Sequence, residues 1–320
     1  MKRGETLELI HVRCALCGSD DSEEVASGHD FEYRTAANLF HFVGCRRCGH
    51  RYLDPRPRSE DLDVIYPPDY YAFTGTTNAL VARAQRSWES GKVKLYRSCV
   101  GAGRKRLLDV GCGDGRFLRL LRDFGDPAWE LVGLEQDERA IAKCRSLGFT
   151  VHSERVEDFA AQPGERGRYD AVIMLQLIEH VEDPVAICER VFSLLRPGGV
   201  FIVETPNLGG LDHRMFQRRW WGHYHFPRHW NLFSRASLVR MLEARGFEIV
   251  RSEYLISTSS WIISHQNWLK DRGWPRFLQR FTNYQNPLLL AIAVAIDAVR
   301  MRLGLETSNQ RVIARRPASA

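Results

Sequence analysis

The chain has 320 residues, of which 44% are hydrophobic and 26% charged, a composition that is ordinary for a folded globular protein. This length allows one full α/β domain and a small additional module, but it excludes two large domains. The formal net charge of +6 is modest and the arginines are scattered along the chain, so a nucleic-acid partner is permitted but not indicated.

The N-terminal region contains two Cys-x-x-Cys pairs, Cys14 with Cys17 and Cys45 with Cys48, each followed by a glycine. Such a glycine eases a turn that directs backbone amides at the thiolates, and four thiolates suit tetrahedral Zn²⁺. Redox activity is the alternative, but a redox pair opens a helix in a thioredoxin-like unit, and neither pair has that setting. We therefore predict a zinc-ribbon-like module over residues 1–62, with a structural metal.

Cysteine usage also indicates the compartment. Eight cysteines are too few for a disulfide scaffold, and four of them are isolated: Cys99, Cys112, Cys144 and Cys188. This usage fits a reducing compartment and one metal site. The first residues lead into polar sequence rather than into an apolar segment of signal-peptide type, so we predict a cytoplasmic protein.

Prolines mark a linker after the module, and residues 63–100 are interpreted as linker and helices. From about residue 105, strands alternate with helices. The predicted strands are 107–110, 130–135, 150–152, 169–175, 200–204, 247–254 and 310–314, and the predicted helices are 80–100, 117–124, 138–147, 184–195 and 234–245. This alternation indicates an α/β domain over residues 101–320, with a seven-stranded, mostly parallel sheet and helices on both of its faces.

A glycine-rich turn follows the first strand of this series and contains Gly111, Gly113 and Gly115. Glycine lets a ligand lie against bare backbone, and the amides at a helix N-terminus favour a carboxylate. The pattern differs from the Gly-x-Gly-x-x-Gly of dinucleotide binders. Asp109 lies inside the strand, where its carboxylate can order the loop or bind an ammonium group. Glu135 ends the next strand, near the ~20-residue offset at which an acidic side chain binds ribose hydroxyls.

Such turns also occur without a ligand, but here further motifs follow in order. They are Tyr169–Ile173, Leu177–Val181 with Asp183-Pro184, Leu194–Gly199, Arg228–Ser234 and Leu242–Phe247. Together with residues 107–115, these motifs resemble those of class I S-adenosylmethionine-dependent methyltransferases over about residues 100–255. The resemblance implies a Rossmann-like fold and S-adenosylmethionine as the cofactor.

The resemblance also implies a set of cofactor-binding residues. They are Asp109, Gly111, Cys112, Gly113, Gly115, Glu135, Gln136, Val156, Glu157 and Gln176. The glycine loop would hold the methionyl part, Glu135 the ribose, and Gln176 would lie near the sulfonium. Val156 and Glu157 would lie near the adenine, although Arg155 stands where many relatives carry an aspartate.

The cysteine pairs, together with Pro55-Arg56-Pro57 and the tyrosine-rich stretch 66–71, resemble the N-terminal zinc-binding region of some sugar and natural-product methyltransferases. The sugar C-methyltransferases of that group carry a further C-terminal domain. We expect this chain to be too short for one, so the exact substrate class does not transfer.

Two histidines are candidate catalytic residues. His180 follows the fourth strand, and imidazole titrates near neutrality, which suits a general base. In the sugar C-methyltransferases that this chain resembles, the corresponding histidine is implicated as the base. A structural Glu179–His180 pair that caps the following helix is equally open. His229 lies in an aromatic cluster with His223 and His225, whose spacing suits a metal. The sequence shows no cysteine or carboxylate to complete that set, so packing of a lid is preferred.

The acceptor side is less well defined by the sequence. The Asn-Pro-Pro-Tyr motif of amide and amine methylation is absent after the fourth strand, which favours an oxygen or carbon nucleophile. Tyr70 and Tyr71 either reach the pocket or pack among other aromatic side chains. An aromatic and apolar insertion, about 256–307, completes the substrate pocket or a subunit contact. Contact with a membrane surface is the alternative. The apolar run within the insertion is shorter than the ~20 residues of a spanning helix, so it could lie on a membrane but not cross one.

These features predict a methyltransferase that acts on an oxygen or carbon of a small molecule, either a sugar or another secondary metabolite. One alternative is a zinc-bearing RNA methyltransferase, in which Arg46 and Arg47 contact phosphate. Another is a non-catalytic protein that binds S-adenosylmethionine as a sensor or scaffold. The sequence predicts no oligomeric state.

Overall fold

The computed structural model describes residues 4–67, 79–283 and 286–318, so Tyr70 and Tyr71 lie outside the described residues. The strands are β1 (Leu9–Ile10), β2 (Ser22–Gly28), β3 (Phe40–Cys45), β4 (Arg51–Leu53), β5 (Arg56–Pro57), β6 (Lys105–Val110), β7 (Trp129–Leu134), β8 (Thr150–His152), β9 (Tyr169–Leu175), β10 (Leu195–Pro206), β11 (Asn231–Leu232), β12 (Glu248–Leu255) and β13 (Asn309–Arg315). The α-helices are α1 (Leu62–Ile65), α2 (Ala79–Val100), α3 (Arg116–Phe124), α4 (Glu138–Ser146), α5 (Val156–Ala161), α6 (Pro184–Leu194), α7 (Leu211–Phe216), α8 (Arg235–Glu243), α9 (Thr258–Asp271), α10 (Arg276–Phe281) and α11 (Pro287–Arg302).

A seven-stranded sheet forms the centre of the molecule, in the order β12-β13-β10-β9-β6-β7-β8. Its strands pair in parallel, except that β13 is antiparallel to both β10 and β12. The predicted Rossmann-like, mostly parallel sheet is therefore confirmed. Strand order reverses between β6 and β9, and open α/β sheets bind ligands at the carboxyl ends of the strands at such a point.

Helices cover both faces of this sheet. Successive strand residues point to opposite sides, so Leu108 packs with α5, α6 and α8, whereas Leu107 packs with α2 and α3. The strands that are buried on both faces read as nearly continuous apolar runs, as expected for parallel strands. This is why the sequence indicated their positions closely. The exception is β10, which begins at Leu195 rather than Val200 and has an irregular register between these residues.

The N-terminal module contains a second sheet, in the order β11-β4-β3-β2. Its edge strand β11 comes from residues far along the chain: Asn231 pairs with Tyr52, and Leu232 with Arg51. An aromatic cluster that includes Phe42 and Trp221 is buried beneath this sheet. The module is thus built onto the segment that follows α7, and it shares a sheet with that segment.

A buried ion pair strengthens this junction. Arg228 donates from Nη2 to Asp30 Oδ2 at 2.8 Å and from Nη1 to Oδ1 at 3.2 Å, and both side chains are almost completely buried. Burial alone would raise the pKa of Asp30, but the guanidinium lowers it to about 2. His225 lies 2.6 Å from Glu32 in the same junction. Two carboxylates of the module therefore contact residues 225–228.

The insertion predicted at about 256–307 contains α9, α10 and α11. Asp297 of α11 is buried, and it accepts hydrogen bonds from Trp261 Nε1 at 2.9 Å and from the Ser257 amide at 2.7 Å. These bonds fasten α11 to α9. Among the described residues, none of the helices combines the length and apolar character that crossing a membrane requires.

A buried charge network joins α2 to the sheet. Glu204 of β10 accepts hydrogen bonds from Lys92 Nζ, Tyr96 Oη and Arg311 Nε, each at 2.7 Å. Burial would raise the pKa of Glu204, but Lys92 and Arg311 lower it to about 2. The carboxylate is therefore ionised throughout the neutral range.

We expect Glu204→Ala to lower the free energy of unfolding by about 3–5 kcal/mol, because the change leaves Lys92 and Arg311 without their buried partner. The contribution of ionised Glu204 to the free energy of unfolding is present above the ordinary glutamate pKa of 4.5, and it is lost as pH falls towards about 2. Urea denaturation at several pH values measures it. Glu24→Ala, which removes an exposed partner of His41, is the control. Equal denaturation midpoints for Glu204→Ala and the unmodified protein at neutral pH would contradict the assignment.

Candidate active site

The glycine loop joins β6 to α3, and its three glycines have φ angles of +74°, +53° and +78° at Gly111, Gly113 and Gly115. Other residues rarely adopt this left-handed region. A Cβ on Gly111 would lie 3.0 Å from Leu177 Cδ2, and one on Gly115 would lie 2.9 Å from Cys144 Sγ. A Cβ on Gly113 would meet no atom within 4 Å. The outer two glycines thus allow close packing, whereas Gly113 borders open space.

Glu135 lies beside this loop, immediately after β7. Its Oε2 accepts from the Gly113 amide at 2.8 Å, and its Oε1 accepts from the amides of Gln136 at 2.8 Å and Asp137 at 3.0 Å. These bonds fix the carboxylate at the sheet edge. Each carboxylate oxygen has two lone pairs, so Oε2, which accepts one amide, can still accept a hydrogen bond from a ribose hydroxyl.

Asp109 lies beneath the loop in β6 and is only 3% exposed. Its Oδ2 has no hydrogen-bond partner among the described residues. Burial, and then the nearby charge of Glu135, raises its pKa to about 7. A buried carboxylate without a partner, close to a second carboxylate, favours a cation. The ammonium group of S-adenosylmethionine fits this requirement.

The remaining cofactor candidates on this side follow β6, β7 and β8. The Cys112 side chain is buried and faces Gly133, where an added Cβ would lie 2.6 Å from its sulfur, so the backbone of Cys112 is the part that borders the loop. Val156 begins α5 and is buried, while Glu157 pairs with Arg155 at 3.2 Å. The structure therefore places the predicted adenine contacts after β8, at the same edge of the sheet as the loop.

Gln176 follows β9 and has a φ angle of +53°. Its amide donates to the Glu204 carbonyl at 2.8 Å, and its side-chain amide donates to Asn309 Oδ1 at 3.1 Å. A non-glycine residue in this conformation is strained, and such strain is concentrated at functional sites. Gln176 thus lies at the end of the strand next to β6, near the loop.

The two candidate catalytic histidines lie together, with ring centroids 4.5 Å apart. His229 Nδ1 lies 2.7 Å from the His223 carbonyl, and His180 Nδ1 lies 3.1 Å from the Arg228 carbonyl. Burial, and then repulsion between the charged forms of neighbouring histidines, lowers the pKa of His180 to about 3 and that of His229 well below its usual value. Both imidazoles are therefore neutral at physiological pH.

Residues 80–252, more than half of the chain, match the model of a family described as a methyltransferase domain. The chain belongs to this family. A probable S-adenosylmethionine-dependent methyltransferase from Mycolicibacterium smegmatis is 32% identical over 160 residues, which are 49% of this chain and 56% of that protein. A ubiquinone biosynthesis O-methyltransferase from Xanthomonas campestris is 36% identical over 106 residues, which are 32% of this chain and 43% of that protein.

The match thus spans about half the length of these curated relatives. A solved S-adenosylmethionine-dependent methyltransferase from Archaeoglobus fulgidus aligns with 77% of this chain and 96% of its own, at 19% identity and a TM-score of 0.49. The family match confirms the predicted class I S-adenosylmethionine-dependent methyltransferase domain.

Two further side chains lie beside the histidines in this methyltransferase domain and were not predicted to contribute to this site. Tyr66 Oη lies 2.7 Å from His180 Nδ1, although the residues are 114 positions apart. Glu179, fully buried, supplies the carboxylate that was predicted to be absent from the histidine set. The capping interpretation of Glu179 was wrong, because Asp183 caps α6 by accepting from the amides of Val185 and Ala186. Adjacency to His180 was the available signal for Glu179.

The four predicted zinc ligands are brought together in the N-terminal module. They are Cys14, Cys17, Cys45 and Cys48, and their sulfurs lie within 4.8 Å of one another. The Cys14–Cys48 and Cys17–Cys45 sulfur distances are both 3.5 Å. Tetrahedral Zn²⁺ with bonds of about 2.3 Å needs sulfurs about 3.8 Å apart, so the arrangement fits the ion. The Gly18 and Gly49 amides donate to the carbonyls of the first cysteine of each pair at 2.8 Å, which closes each turn.

Proposed function

We propose that the protein transfers the methyl group of S-adenosylmethionine to an oxygen or carbon atom of a small molecule, either a sugar or another secondary metabolite. The buried Oδ2 of Asp109 beneath the glycine loop, which has no hydrogen-bond partner in the described part of the chain, is the observation that carries this proposal. A buried, unpaired acidic group suits a cofactor that bears an ammonium group. Glu135, fixed by three backbone amides, supports it as the ribose-binding group.

The cofactor supplies an electrophilic methyl group on a sulfonium. Asp109 would hold its ammonium group, Glu135 its ribose, and the Gly113 backbone leaves room for its methionyl chain. Gln176, at the end of β9, would border the sulfonium. These contacts orient the methyl group towards the acceptor side, which supports in-line displacement.

His180, His229 and Tyr66 mark the acceptor side, because they follow β9 or pack against the segment that does. The histidines are neutral, so each can accept a hydrogen bond from the acceptor, and a weak base can take the hydroxyl proton once methyl transfer has made that proton strongly acidic. The segment after β9 lacks the Asn-Pro-Pro-Tyr motif of amide and amine methylation. This favours an oxygen or carbon nucleophile.

The RNA methyltransferase alternative has less support. Arg46, one of the two residues suggested for phosphate contact, already pairs with Glu23 at 3.1 Å and with Asp21 at 3.8 Å. These carboxylates offset its charge, so the region around the second cysteine pair offers little net attraction for phosphate.

Zinc and a reducing compartment belong to the same proposal. The four clustered cysteines, Cys14, Cys17, Cys45 and Cys48, would bind Zn²⁺ with all four thiolates. No coordination position would stay open, so the role of the ion would be structural. All eight cysteines are free thiols in the structure, which supports placement in the cytoplasm.

Incubation with S-adenosylmethionine labelled on its methyl group tests the proposed function. The protein is mixed with a metabolite fraction or with total RNA, each prepared from bacterial cells. We expect label in a small molecule and none in RNA, and no transfer by Gly113→Val. Label in RNA alone would overturn the choice of acceptor. Label in neither fraction, with intact cofactor binding, would favour a sensor.

His180→Ala should slow methyl transfer by roughly 100-fold or more, the range for loss of a group that moves a proton. Cofactor affinity should change little, because the loop and Glu135 do not contact His180 in any described hydrogen bond. Turnover and calorimetric titration with S-adenosylmethionine measure the two effects separately. His41→Ala, at a half-buried histidine in the module, is the control. Unchanged turnover in His180→Ala would leave this histidine a structural role only.

A further inference from the structure

We propose that Glu179, His180 and His229 bind a divalent transition-metal ion at the acceptor side of the methyltransferase domain. One ligand atom from each of these residues lies within 4.8 Å of the others. Modest closure would bring them to the separations needed around an ion with bonds of about 2.0–2.2 Å. This site is separate from the four-cysteine cluster.

The tautomers of the histidines suit metal binding. A carbonyl oxygen can only accept, so the short contacts of His229 Nδ1 with the His223 carbonyl and of His180 Nδ1 with the Arg228 carbonyl place a proton on each Nδ1. In this tautomer the Tyr66 hydroxyl, 2.7 Å from His180 Nδ1, accepts from that nitrogen together with the carbonyl. Each Nε2 then has a free lone pair. Metal-binding histidines commonly donate their other N–H to a carbonyl in this way, which fixes the ring and its tautomer.

Glu179 provides the third ligand. Its side chain is fully buried, and its Oε2 accepts from the Thr205 hydroxyl at 2.9 Å. Oε1 has no hydrogen-bond partner among the described residues. A buried carboxylate oxygen without a donor is costly unless a cation or donor occupies the adjoining space. The backbone of Glu179 is also fixed, since its carbonyl accepts from the amides of Trp230 and Asn231.

Two imidazoles and one carboxylate form a ligand set typical of Zn²⁺, Fe²⁺ and related ions, and three protein ligands leave positions open. Resting on the proposed function, we assign an open position to an acceptor hydroxyl. A bound cation would favour loss of the proton of that hydroxyl to water. The oxygen would then form a bond to the methyl carbon, and the electrons of the broken C–S bond would return to sulfur, converting the sulfonium into a thioether.

Cobalt binding tests the site without S-adenosylmethionine or an acceptor, so its failure is distinguishable from failure of the proposed function. The zinc-loaded protein is incubated with Co²⁺, desalted and analysed for both metals and for visible absorption. We expect about one additional cobalt per chain, with zinc content unchanged and no sulfur-to-cobalt charge-transfer band. Cobalt that only replaces zinc, or no retained cobalt, would overturn the proposal.

Glu179→Gln is the decisive variant, because glutamine keeps the shape of the side chain and can still accept from Thr205. We expect it to weaken cobalt affinity by at least about 100-fold, the upper end of the loss seen even for outer partners of metal ligands. His229→Ala should do the same, and His41→Ala should retain cobalt. Wild-type cobalt affinity in both Glu179→Gln and His229→Ala would refute the site.

We also infer, from a different observation, that α10 and α11 contact an anionic lipid surface. Apolar side chains spaced along one face of α11 are exposed: Leu288 by 60%, Ile292 by 49% and Val299 by 53%. Leu303, which directly follows the helix, is exposed by 68%. Phe277 and Phe281 of α10 are exposed by 69% and 55%. Exposed apolar side chains concentrated in one region are typical of interaction surfaces.

Charge identifies the occupant of this surface. Arginines at positions 272, 276, 280 and 302 are exposed. The only acidic residue in 272–305 is Asp297, which is buried and bound to Trp261 and Ser257. Within 272–305 the exposed charged side chains of the described residues are thus all basic, and apolar side chains interleaved with basic ones match the interface of an anionic bilayer. A second copy of the chain would bring equal positive charges together.

Sedimentation with vesicles tests this inference. We expect the protein to bind vesicles of phosphatidylcholine with phosphatidylglycerol, to bind less at high salt, and to bind phosphatidylcholine alone weakly. The double variant Phe277→Ser, Phe281→Ser should lose binding to the anionic vesicles. Met215→Ser, at another exposed apolar position, should keep it. No sedimentation with anionic vesicles, or a concentration-dependent dimer that needs the two phenylalanines, would overturn the inference.

Discussion

Gly113→Val is expected to lower the affinity for S-adenosylmethionine by at least about 100-fold. Gly113 has a φ angle of +53°, where a β-branched residue is strained by about 1–3 kcal/mol. Its amide also donates to Glu135 Oε2 at 2.8 Å, so a backbone shift that relieved the strain would displace the proposed ribose-binding carboxylate. The valine side chain would project into the open space beside the loop, where the methionyl chain is proposed to lie.

Calorimetric titration with S-adenosylmethionine and with its demethylated product measures this effect. Gly167→Val is a matched control, because Gly167 also has a left-handed φ angle, of +66°, and has no atom within 4 Å of an added Cβ. Its backbone strain should be similar, but it lies in the turn before β9, away from the loop. We expect this control to keep its affinity. An unchanged affinity in Gly113→Val would refute the assignment of the loop.

The sheet and the loop could be predicted from sequence because their signals are local. Buried parallel strands are nearly continuous apolar runs, and residues 107–110 and 169–175 stand out for this reason. The turn that follows β6 needs glycines whose φ angles are positive, so the requirement is visible in the sequence. The antiparallel direction of β13, which lies between β12 and β10, was not predicted, since the composition of a strand is the same in either direction.

The junction between the module and the catalytic sheet could not be predicted in the same way. The two-residue strand β11 is too short to show a period, and Arg228 pairs with Asp30, 198 positions away. Pairing of polar side chains over such distances depends on the completed fold. Glu179 was misjudged for a related reason, because proximity to the next helix suggested a cap, whereas its side chain points to Thr205 of β10.

Cys45→Ser is expected to release the proposed zinc ion and to unfold much of the module. Cys45 is 3% exposed and ends β3, and its amide donates to the His50 carbonyl at 2.8 Å. A structural zinc ion contributes folding free energy of about 10–16 kcal/mol in small domains, so a region with little core of its own depends on it. Serine is a far weaker ligand than a thiolate. Metal analysis should therefore show zinc falling from about one ion per chain to nearly none.

The same change should reduce methyl transfer, because hydrogen bonds connect the module to the histidines. His50 Nε2 lies 3.0 Å from Asn231 Oδ1, and the Asn231 amide donates to the Glu179 carbonyl at 2.9 Å. Loosening β4 and β11 would thus displace Glu179. Hydrogen exchange across residues 14–53 and 225–233 should increase together in Cys45→Ser. Cys99→Ser, on α2, should keep both zinc and activity. If the unmodified protein contained no zinc, the thiolate cluster would lose its proposed role as a metal-dependent support of this connection.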